Sequence, residues 1–262
     1  IVLDAISDDG SQQILRRLEQ EYPGMQLIIE PDKGQGDALV KGFTGNDADV
    51  LGWLNADDLL LPGSLARVAA AFAQASIDVV YGKAWFVNTA DQIIGAYPVA
   101  RFDPEYLKTF CYLSQPSTFF RRSAYQAAGG IDTSLRYCMD YSLWLLLVNS
   151  GASFCFLRRY LSATRLHDAT KTDTGGLAFA DEVITMLEKE LGEAPLEWQA
   201  YRRFRELAGH PAGGPAVISL AAALFETARK SGKWRDMTLW AARVFVDHAA
   251  ARVAAISKHK LN

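Results

Sequence analysis

Two carboxylates at the end of an apolar run are the clearest chemical feature of the chain. Asp57 and Asp58 are separated by two residues from the run 50–54, which is too apolar to form a strand exposed on either face. We therefore expect their carboxylates at the tip of a buried strand. Hard oxygen ligands there suit Mg²⁺ or Mn²⁺, which keep several waters and bridge phosphate oxygens. A capped turn before a helix that starts near Pro62 is the alternative interpretation.

A second acidic segment runs from Asp32 to Asp37, after the strand candidate 27–29. Gly34 and Gly36 permit close backbone approach, and Lys33 offers a positive charge to an anionic ligand. The segment matches neither a Walker loop nor a dinucleotide fingerprint. Its position one strand away from Asp57 favours binding over the alternative of a plain surface turn.

Three further residues are candidates for chemistry. Asp140 starts an apolar helix, where it could serve as a general base or simply stabilise the helix N-terminus. His167 is either a metal or phosphate ligand or a partly exposed polar residue. Gln115 lies in a polar segment that either lines a pocket or borders a strand.

Composition excludes several classes of protein. The 262 residues, half of them hydrophobic, are enough for a sizeable core, so a disordered or fibrous chain is excluded. A net charge of −3 without a basic stripe argues against nucleic acid as a partner. The three cysteines have no metal-ligand spacing, which favours a reducing, cytoplasmic setting. The sequence contains no run of about 18 apolar residues, so we predict no membrane span.

The order of elements predicts an α/β fold. Strand candidates alternate with helices up to about residue 82, which indicates a doubly wound, mostly parallel sheet with its ligand at the carboxyl ends of the strands. Helices dominate after Thr174, so we predict a domain over 1–174 and a helical extension over 175–262. From Lys230 onward, seven Lys or Arg face two Asp. This basic segment predicts helix packing or, as the minority interpretation, peripheral contact with a membrane surface.

Taken together, these motifs resemble the family 2 glycosyltransferases with the GT-A fold. The third of four matching segments contains Gly-Trp-Leu-Asn-Ala-Asp-Asp, where that family has its DxD motif. The fourth contains Gln-Pro-Ser-Thr-Phe-Phe-Arg-Arg, then Gly-Gly-Ile-Asp, then Met-Asp-Tyr-Ser-Leu-Trp. The four segments are Ile1 to Ser11, Glu30 to Gly42, Gly52 to Pro62 and Gln115 to Trp144.

The resemblance implies an inverting transfer of a sugar from a nucleotide-sugar donor to an acceptor hydroxyl, with Asp140 as the catalytic base. It implies a divalent cation, Mg²⁺ or Mn²⁺, at Asp57, Asp58 and His167. It further implies a saccharide or lipid-linked acceptor and a role in polysaccharide or glycolipid assembly. The donor would be bound by a set of residues on the same edge of the sheet: Asp4, Asp32, Lys33, Gly34, Asp37, Asn55 and Gln115.

Three departures from the family pattern accompany the resemblance. Asn55 occupies the first DxD position, and Ala5 replaces an acidic residue that some members use for the nucleotide base. Residue 1 falls at the family's second strand, so the first strand and helix are expected to be missing from the sheet. An inactive nucleotide-sugar-binding or scaffold module and a sugar-phosphate nucleotidyltransferase are therefore alternative functions. The nucleotidyltransferase has no use for Asp140.

Overall fold

We describe the fold from a computed structural model of the chain. The structure describes residues 1–167, 170, 174–208 and 215–242. Most of the basic segment predicted to pack or to contact a membrane lies outside the described residues, because these end at 242. A helix begins at 234 and continues to that limit.

The first half of the chain alternates strands and helices, as the apolar pattern predicts. Its elements are β1 (Val2–Asp4), α1 (Ser11–Glu21), β2 (Leu27–Ile29), α2 (Gln35–Thr44), β3 (Val50–Leu51), β4 (Leu59–Leu60) and α3 (Ser64–Phe72). Helix α2 lies directly against β1, because a Cβ added to Gly42 would be 2.8 Å from Leu3 Cδ1. Glycine at position 42 therefore permits the close approach that places the start of α2 at the sheet edge.

The strands form two sheets, to which the segment after α3 adds β5 (Val79–Val87), β6 (Ile93–Ala96), β7 (Thr118–Arg121) and β8 (Phe154–Arg165). Strands β1 and β2 pair in parallel as a sheet of their own, and the larger sheet has the order β3-β7-β5-β8-β4, with β6 on β5.

The pairing in the larger sheet is mixed. Strand β5 runs parallel to β8, whereas its pairs with β6 and β7 are antiparallel. The pairs β3–β7 and β4–β8 are antiparallel as well. Every antiparallel pair uses a strand from the segment 79–165, where no regular strand–helix alternation forces parallel crossovers.

The remaining helices lie on the sheet or extend from it. They are α4 (Pro104–Thr109), α5 (Arg122–Ala127), α6 (Met139–Asn149), α7 (Gly176–Leu191), α8 (Leu196–Ala208) and α9 (Pro215–Ser231), with a 3₁₀ turn at Gln115–Ser117. The helix predicted from residue 139 or 140 is confirmed as α6. The helices predicted after Thr174 are confirmed as far as α9.

The main hydrophobic core surrounds α6. Leu143, Trp144 and Leu147 of this helix are fully buried, and Val183 and Trp198 from α7 and α8 belong to the same cluster. The C-terminal helices therefore share the core of the first 165 residues, which fixes α7 against the loop before α6. The predicted domain boundary near residue 174 stays a prediction.

Candidate active site

A cleft of about 470 Å³ lies where the loop after β3, the end of β8 and the start of α6 meet. This volume lies within the range typical of small-molecule sites. The cleft brings together six of the residues that the sequence predicts for the site: Asn55, Asp57, Asp58, Gln115, Asp140 and His167. These six residues, which come from four separate segments of the chain, thus share one concave surface.

Asp57 and His167 meet across the mouth of the cleft. The Nε2 atom of His167 lies 3.0 Å from Oδ2 of Asp57, and the two side chains are 29% and 45% exposed. The backbone N–H of His167 donates to Thr170 Oγ1 at 3.1 Å, which orients the segment after β8. The pair therefore presents an imidazole nitrogen and a carboxylate to the cleft at one point.

Asp58 is buried beside this pair, with only 7% of its surface exposed. Its Oδ1 accepts the backbone N–H of Arg165 at 3.1 Å, and its Oδ2 lies 3.4 Å from Asn55 Nδ2. Burial raises the pKa of Asp58 to about 6, and the negative charge of Asp57 adds to the increase. Both oxygens of Asp58 are thus directed at protein donors, while Asp57 faces the open cleft.

Asn55 is the centre of an amide network. Its Oδ1 accepts from Gln35 Nε2 at 2.6 Å, and its Nδ2 lies 3.3 Å from Gln115 Oε1. Gln115 Nε2 in turn donates to the carbonyl of Trp53 at 2.6 Å. An aspartate at position 55 could accept but not donate, so it could not complete this network. The departure from the DxD pattern therefore has a structural reason.

Asp140 lies in the first turn of α6, and its Oδ1 accepts the N–H of Tyr141 at 2.8 Å. Burial raises the pKa of Asp140 to about 6, although the backbone hydrogen bonds act in the opposite direction. Tyr97 and Cys111 lie close by, and burial followed by the nearby acidic groups raises the pKa of both. Asp140 is therefore a carboxyl group that titrates near neutral pH among neutral neighbours.

The other predicted donor-binding residues do not line this cleft. Asp32 Oδ1 accepts from the N–H of Gly34 at 2.8 Å, and Asp37 Oδ2 accepts from the N–H of Lys33 at 3.1 Å. Asp4 Oδ1 accepts from the N–H of Ser7 at 2.9 Å. Asp4 and Asp32 line a separate small cavity. Gln35, the first residue of α2, is the part of this region that reaches the cleft.

Arg165 is a site residue that sequence reasoning missed. Its Nε donates to the carbonyl of Asp57 at 3.0 Å, and its Nη1 donates to the carbonyl of Asn88 at 3.0 Å. Its Nη2 pairs with Asp91 Oδ1 at 2.7 Å. The side chain therefore fixes the acidic loop against the turn between β5 and β6. Its partners are mainly backbone carbonyls, which leave no pattern in a sequence.

Two features are absent from the part of the chain that the structure describes. Within 1–167, 170, 174–208 and 215–242, no three His, Cys, Asp or Glu side chains converge as a ready-made metal cluster. In the same ranges, no helix combines the length and the apolar character needed to cross a membrane.

This fold and cleft define a class: the chain has the GT-A fold of glycosyltransferases. Residues 1–127 match the model of glycosyl transferase family 2. The resemblance read from the sequence is confirmed, including that of the segments around Asp32 and Asp57.

Curated relatives support this assignment. An uncharacterized glycosyltransferase of Nostoc is 28% identical over 78 residues, covering 29% of this chain and 24% of the relative. Another, of Rickettsia typhi, is 23% identical over 184 residues, covering 64% of this chain and 56% of the relative. The chain thus spans between about a quarter and somewhat over half the length of these two relatives.

Solved structures share the fold. The mannosyltransferase PcManGT from Pyrobaculum calidifontis, solved with GDP-Man and Mn²⁺, has a TM-score of 0.55 at 17% identity, covering 95% of this chain and 76% of PcManGT. S. aureus TarS 1–349, solved with UDP-GlcNAc, has a TM-score of 0.60 at 12% identity, covering 94% of this chain and 79% of TarS. At these identities the similarity establishes the fold alone.

Proposed function

We propose that this protein transfers a sugar from a nucleoside-diphosphate sugar to an acceptor hydroxyl, with inversion at the anomeric carbon. The observation that carries the proposal is the shared cleft, in which the Asp57–His167 pair and Asp140 come from distant parts of the chain. Burial raises the pKa of the Asp140 carboxyl group, and the same cleft holds the carboxylate–imidazole pair of Asp57 and His167. A scaffold has no need of this combination.

The ligands of the two structural neighbours support a donor of this class. PcManGT was solved with GDP-Man and Mn²⁺, and TarS was solved with UDP-GlcNAc. Both ligands join a sugar to a nucleoside diphosphate. Our proposal extends that class of donor to this chain and leaves the base and the sugar to experiment.

Asp57 and His167 fit a divalent cation of the Mg²⁺ or Mn²⁺ type. Such ions bind through one or two protein groups and take their other ligands from phosphate and water, so a three-residue cage is not required. The donor set observed here, a carboxylate oxygen and an imidazole nitrogen at 3.0 Å, meets that need. Asp58, whose oxygens accept from Arg165 and point at Asn55, would hold the loop in place. The bound cation would stabilise the negative charge that develops on the diphosphate.

Asp140 would act as the general base. Its carboxylate would take the proton from the acceptor hydroxyl while the hydroxyl oxygen forms a bond to the anomeric carbon. The bond between that carbon and the diphosphate oxygen breaks in the same displacement, and the nucleoside diphosphate leaves with the bonding electrons. Because a single attack occurs from the opposite face, the configuration at the carbon inverts. A pKa of about 6 leaves Asp140 ionised, yet basic enough to accept a proton, at neutral pH.

Donor contacts outside the cleft stay proposals. We propose that Lys33, the glycine at 34 and the carboxylates of Asp4, Asp32 and Asp37 form the nucleotide side of the donor site, continuous with the cleft through Gln35. Asn55 and Gln115 would shape the cleft wall through their amide network. Both glycosyltransferase neighbours were solved with nucleotide sugars, which supports a nucleotide-sugar site of this general kind.

The acceptor and the location are proposed from sequence alone. We propose a saccharide or lipid-linked acceptor in polysaccharide or glycolipid assembly, and a cytoplasmic protein with peripheral membrane contact through residues 230–262. Flotation on anionic liposomes of the full chain and of a chain ending at residue 229 tests the contact. Equal flotation of both would contradict it.

A screen against nucleotide sugars tests the main proposal. Purified protein is incubated with UDP- and GDP-sugars in Mn²⁺, in Mg²⁺ and in EDTA, and both thermal stabilisation and release of nucleoside diphosphate are measured. We expect one nucleotide class to stabilise the protein and to be released, in both cases only when the metal is present. Binding without release from any donor, with every tested acceptor, would favour a binding module and contradict the proposal.

A further inference from the structure

Helix α7 contacts the loop that leads into α6 through one half-buried carboxylate, that of Glu182. Glu182 accepts three backbone hydrogen bonds from that loop: from Arg136 N–H to Oε2 at 2.9 Å, and from Tyr137 and Cys138 N–H to Oε1 at 2.6 and 2.9 Å. These donors lie 44 to 46 residues away in sequence. One carboxylate therefore holds three consecutive peptide groups.

The loop so held ends at Asp140. Cys138 is the N-terminal cap of α6, and its side chain makes no capping hydrogen bond. Glu182 thus supplies, from another helix, an acceptor for the N–H of Cys138, one of the N-terminal N–H groups that have no partner within α6. Asp140 follows two residues later, so the position of its carboxylate depends on the backbone that Glu182 fixes.

Glu182 is itself held firmly. The next residue, Val183, is fully buried in the main core, as is Leu187 one turn further along α7. The ring of Phe179 meets that of Tyr137 edge-on, with ring centroids 6.4 Å apart. A second polar contact from α7 to this region joins Lys189 Nζ to Asp132 Oδ2 at 3.2 Å, and its lysine side chain is 69% exposed. Such exposed pairs contribute little, whereas hydrogen bonds to an ionised carboxylate are roughly twice as strong as neutral ones.

We propose that Glu182 is a positioning residue for the transfer reaction, which fixes the 136–138 loop and thereby aims Asp140 at the acceptor hydroxyl. The inference rests on the proposed function, because it gives Asp140 the role of base. It assigns the helix at 176–191 a task in catalysis: residues between 35 and 170 line the cleft, and this helix sets the orientation of the base within it.

The proposal separates catalysis from donor binding. Asp57 and His167 lie on other loops, and the three hydrogen bonds of Glu182 involve neither of them. Loss of the Glu182 contacts should therefore lower the turnover rate while leaving the affinity for a nucleoside diphosphate unchanged. A purely structural role would either change neither quantity or lower both through partial unfolding.

The test compares Glu182→Gln and Glu182→Ala in the full chain, with Glu188→Ala as control. Glutamine has the same shape but turns an N–H₂ group toward one of the three donors, whereas Glu188 is an exposed acid on the same helix. Three quantities are measured: release of nucleoside diphosphate from UDP- and GDP-sugars, the Kd for UDP and GDP with Mn²⁺, and amide hydrogen exchange of residues 136–141.

We expect Glu182→Gln to lower the release rate about tenfold and Glu182→Ala up to about 100-fold, as small displacements of reacting groups do. The Kd should stay within about twofold of the control, and exchange of residues 136–141 should accelerate. If Glu182→Ala does not fold, the glutamine variant alone decides. Rates equal to those of Glu188→Ala, or a Kd weakened in proportion to the rate, overturn the inference. A wild-type chain that releases no diphosphate overturns the proposed function itself, which is a separate and recognisable outcome.

Discussion

Nε2 of His167 lies 3.0 Å from Oδ2 of Asp57, although 110 residues separate the two in sequence. The loop after β3 supplies the carboxylate and the segment after β8 supplies the imidazole. Their meeting point at the mouth of the cleft gives the proposed cation two ligands of different chemical type.

Loss of either side chain should therefore weaken metal-dependent donor binding. We expect Asp57→Asn and His167→Ala each to raise the Kd for a nucleoside diphosphate in Mn²⁺ by about 10- to 100-fold, the range typical of changes at metal sites. The double variant should lose less than the product of the two, because both residues act on one ion. Calorimetric titration in Mn²⁺ and in EDTA measures these quantities.

Asp47→Asn provides the control for that comparison, since Asp47 is an exposed acid in the loop before β3. It should bind the nucleotide as the wild type does. Unchanged affinity in both site variants would show that Asp57 and His167 do not hold the metal.

The turnover rate should depend on the ionisation of Asp140. Burial raises the pKa of this carboxyl group from 3.8 to about 6, so it is protonated and cannot act as a base in more acidic solution. We expect the release rate to rise about tenfold per pH unit below that value and to level off above it. Burial also raises the pKa of Tyr97 and Cys111, so these neighbours stay neutral across the range.

Donor binding measured over the same pH range separates this effect from changes at the metal ligands. A rate that is flat between pH 5 and pH 8 while binding is constant would contradict the assignment of the base.

The same burial means that the Asp140 carboxylate should lower the free energy of unfolding at a pH where it is ionised. Its folded-state pKa lies above the ordinary value of 3.8, so the folded protein binds this proton more tightly than the unfolded chain does. Stability is therefore lost as pH rises through this window, and Asp140→Asn should be more stable than wild type at pH 8 by on the order of 1–2 kcal/mol. The difference should vanish near pH 3, below the ordinary value of 3.8, where the group is neutral in both the folded and the unfolded chain.

Urea unfolding at the two pH values measures this difference. A variant that is equally stable at pH 8 would show that the carboxylate is better solvated than its burial indicates.

Asn55→Asp, which would create a conventional DxD sequence, should impair the protein. The new carboxylate could not donate to Gln115 Oε1 and would lie close to the buried Asp58 carboxylate, which Asn55 Nδ2 now faces at 3.4 Å. We expect a loss of about 1–3 kcal/mol in the free energy of unfolding, as for other unsatisfied buried groups. Gln13→Glu, at an exposed amide of α1, is the control. Higher activity or tighter metal binding in Asn55→Asp would show that the amide network has no functional part.

The sequence predicted the parts of the site that consist of side-chain types in a fixed order. Asp57 and Asp140 each follow or begin an apolar element whose end must lie at the sheet edge, so pattern and placement agree. The helices after residue 174 followed in the same way from apolar periodicity. These features are local, and local features can be read from one sequence.

The parts that escaped prediction depend on backbone partners far away in the chain. Arg165 donates to the carbonyls of Asp57 and Asn88, and Glu182 accepts from three backbone N–H groups. Peptide groups are the same at every position, so no residue type identifies these contacts. The mixed pairing of the larger sheet was not predicted either. Strand direction depends on how the strands are connected, which composition does not show.

The central claim is that Asp140 is the base of a sugar transfer, and the rate of nucleoside diphosphate release by Asp140→Asn tests it most directly. Asparagine keeps the shape and cannot take a proton. We predict that release falls by at least about 100-fold, the lower end of what a general base contributes. The Kd for the nucleoside diphosphate in Mn²⁺ should stay within about twofold of wild type, because Asp140 is not a metal ligand in this account. A variant that binds the nucleotide and still releases it at the wild-type rate would contradict the account.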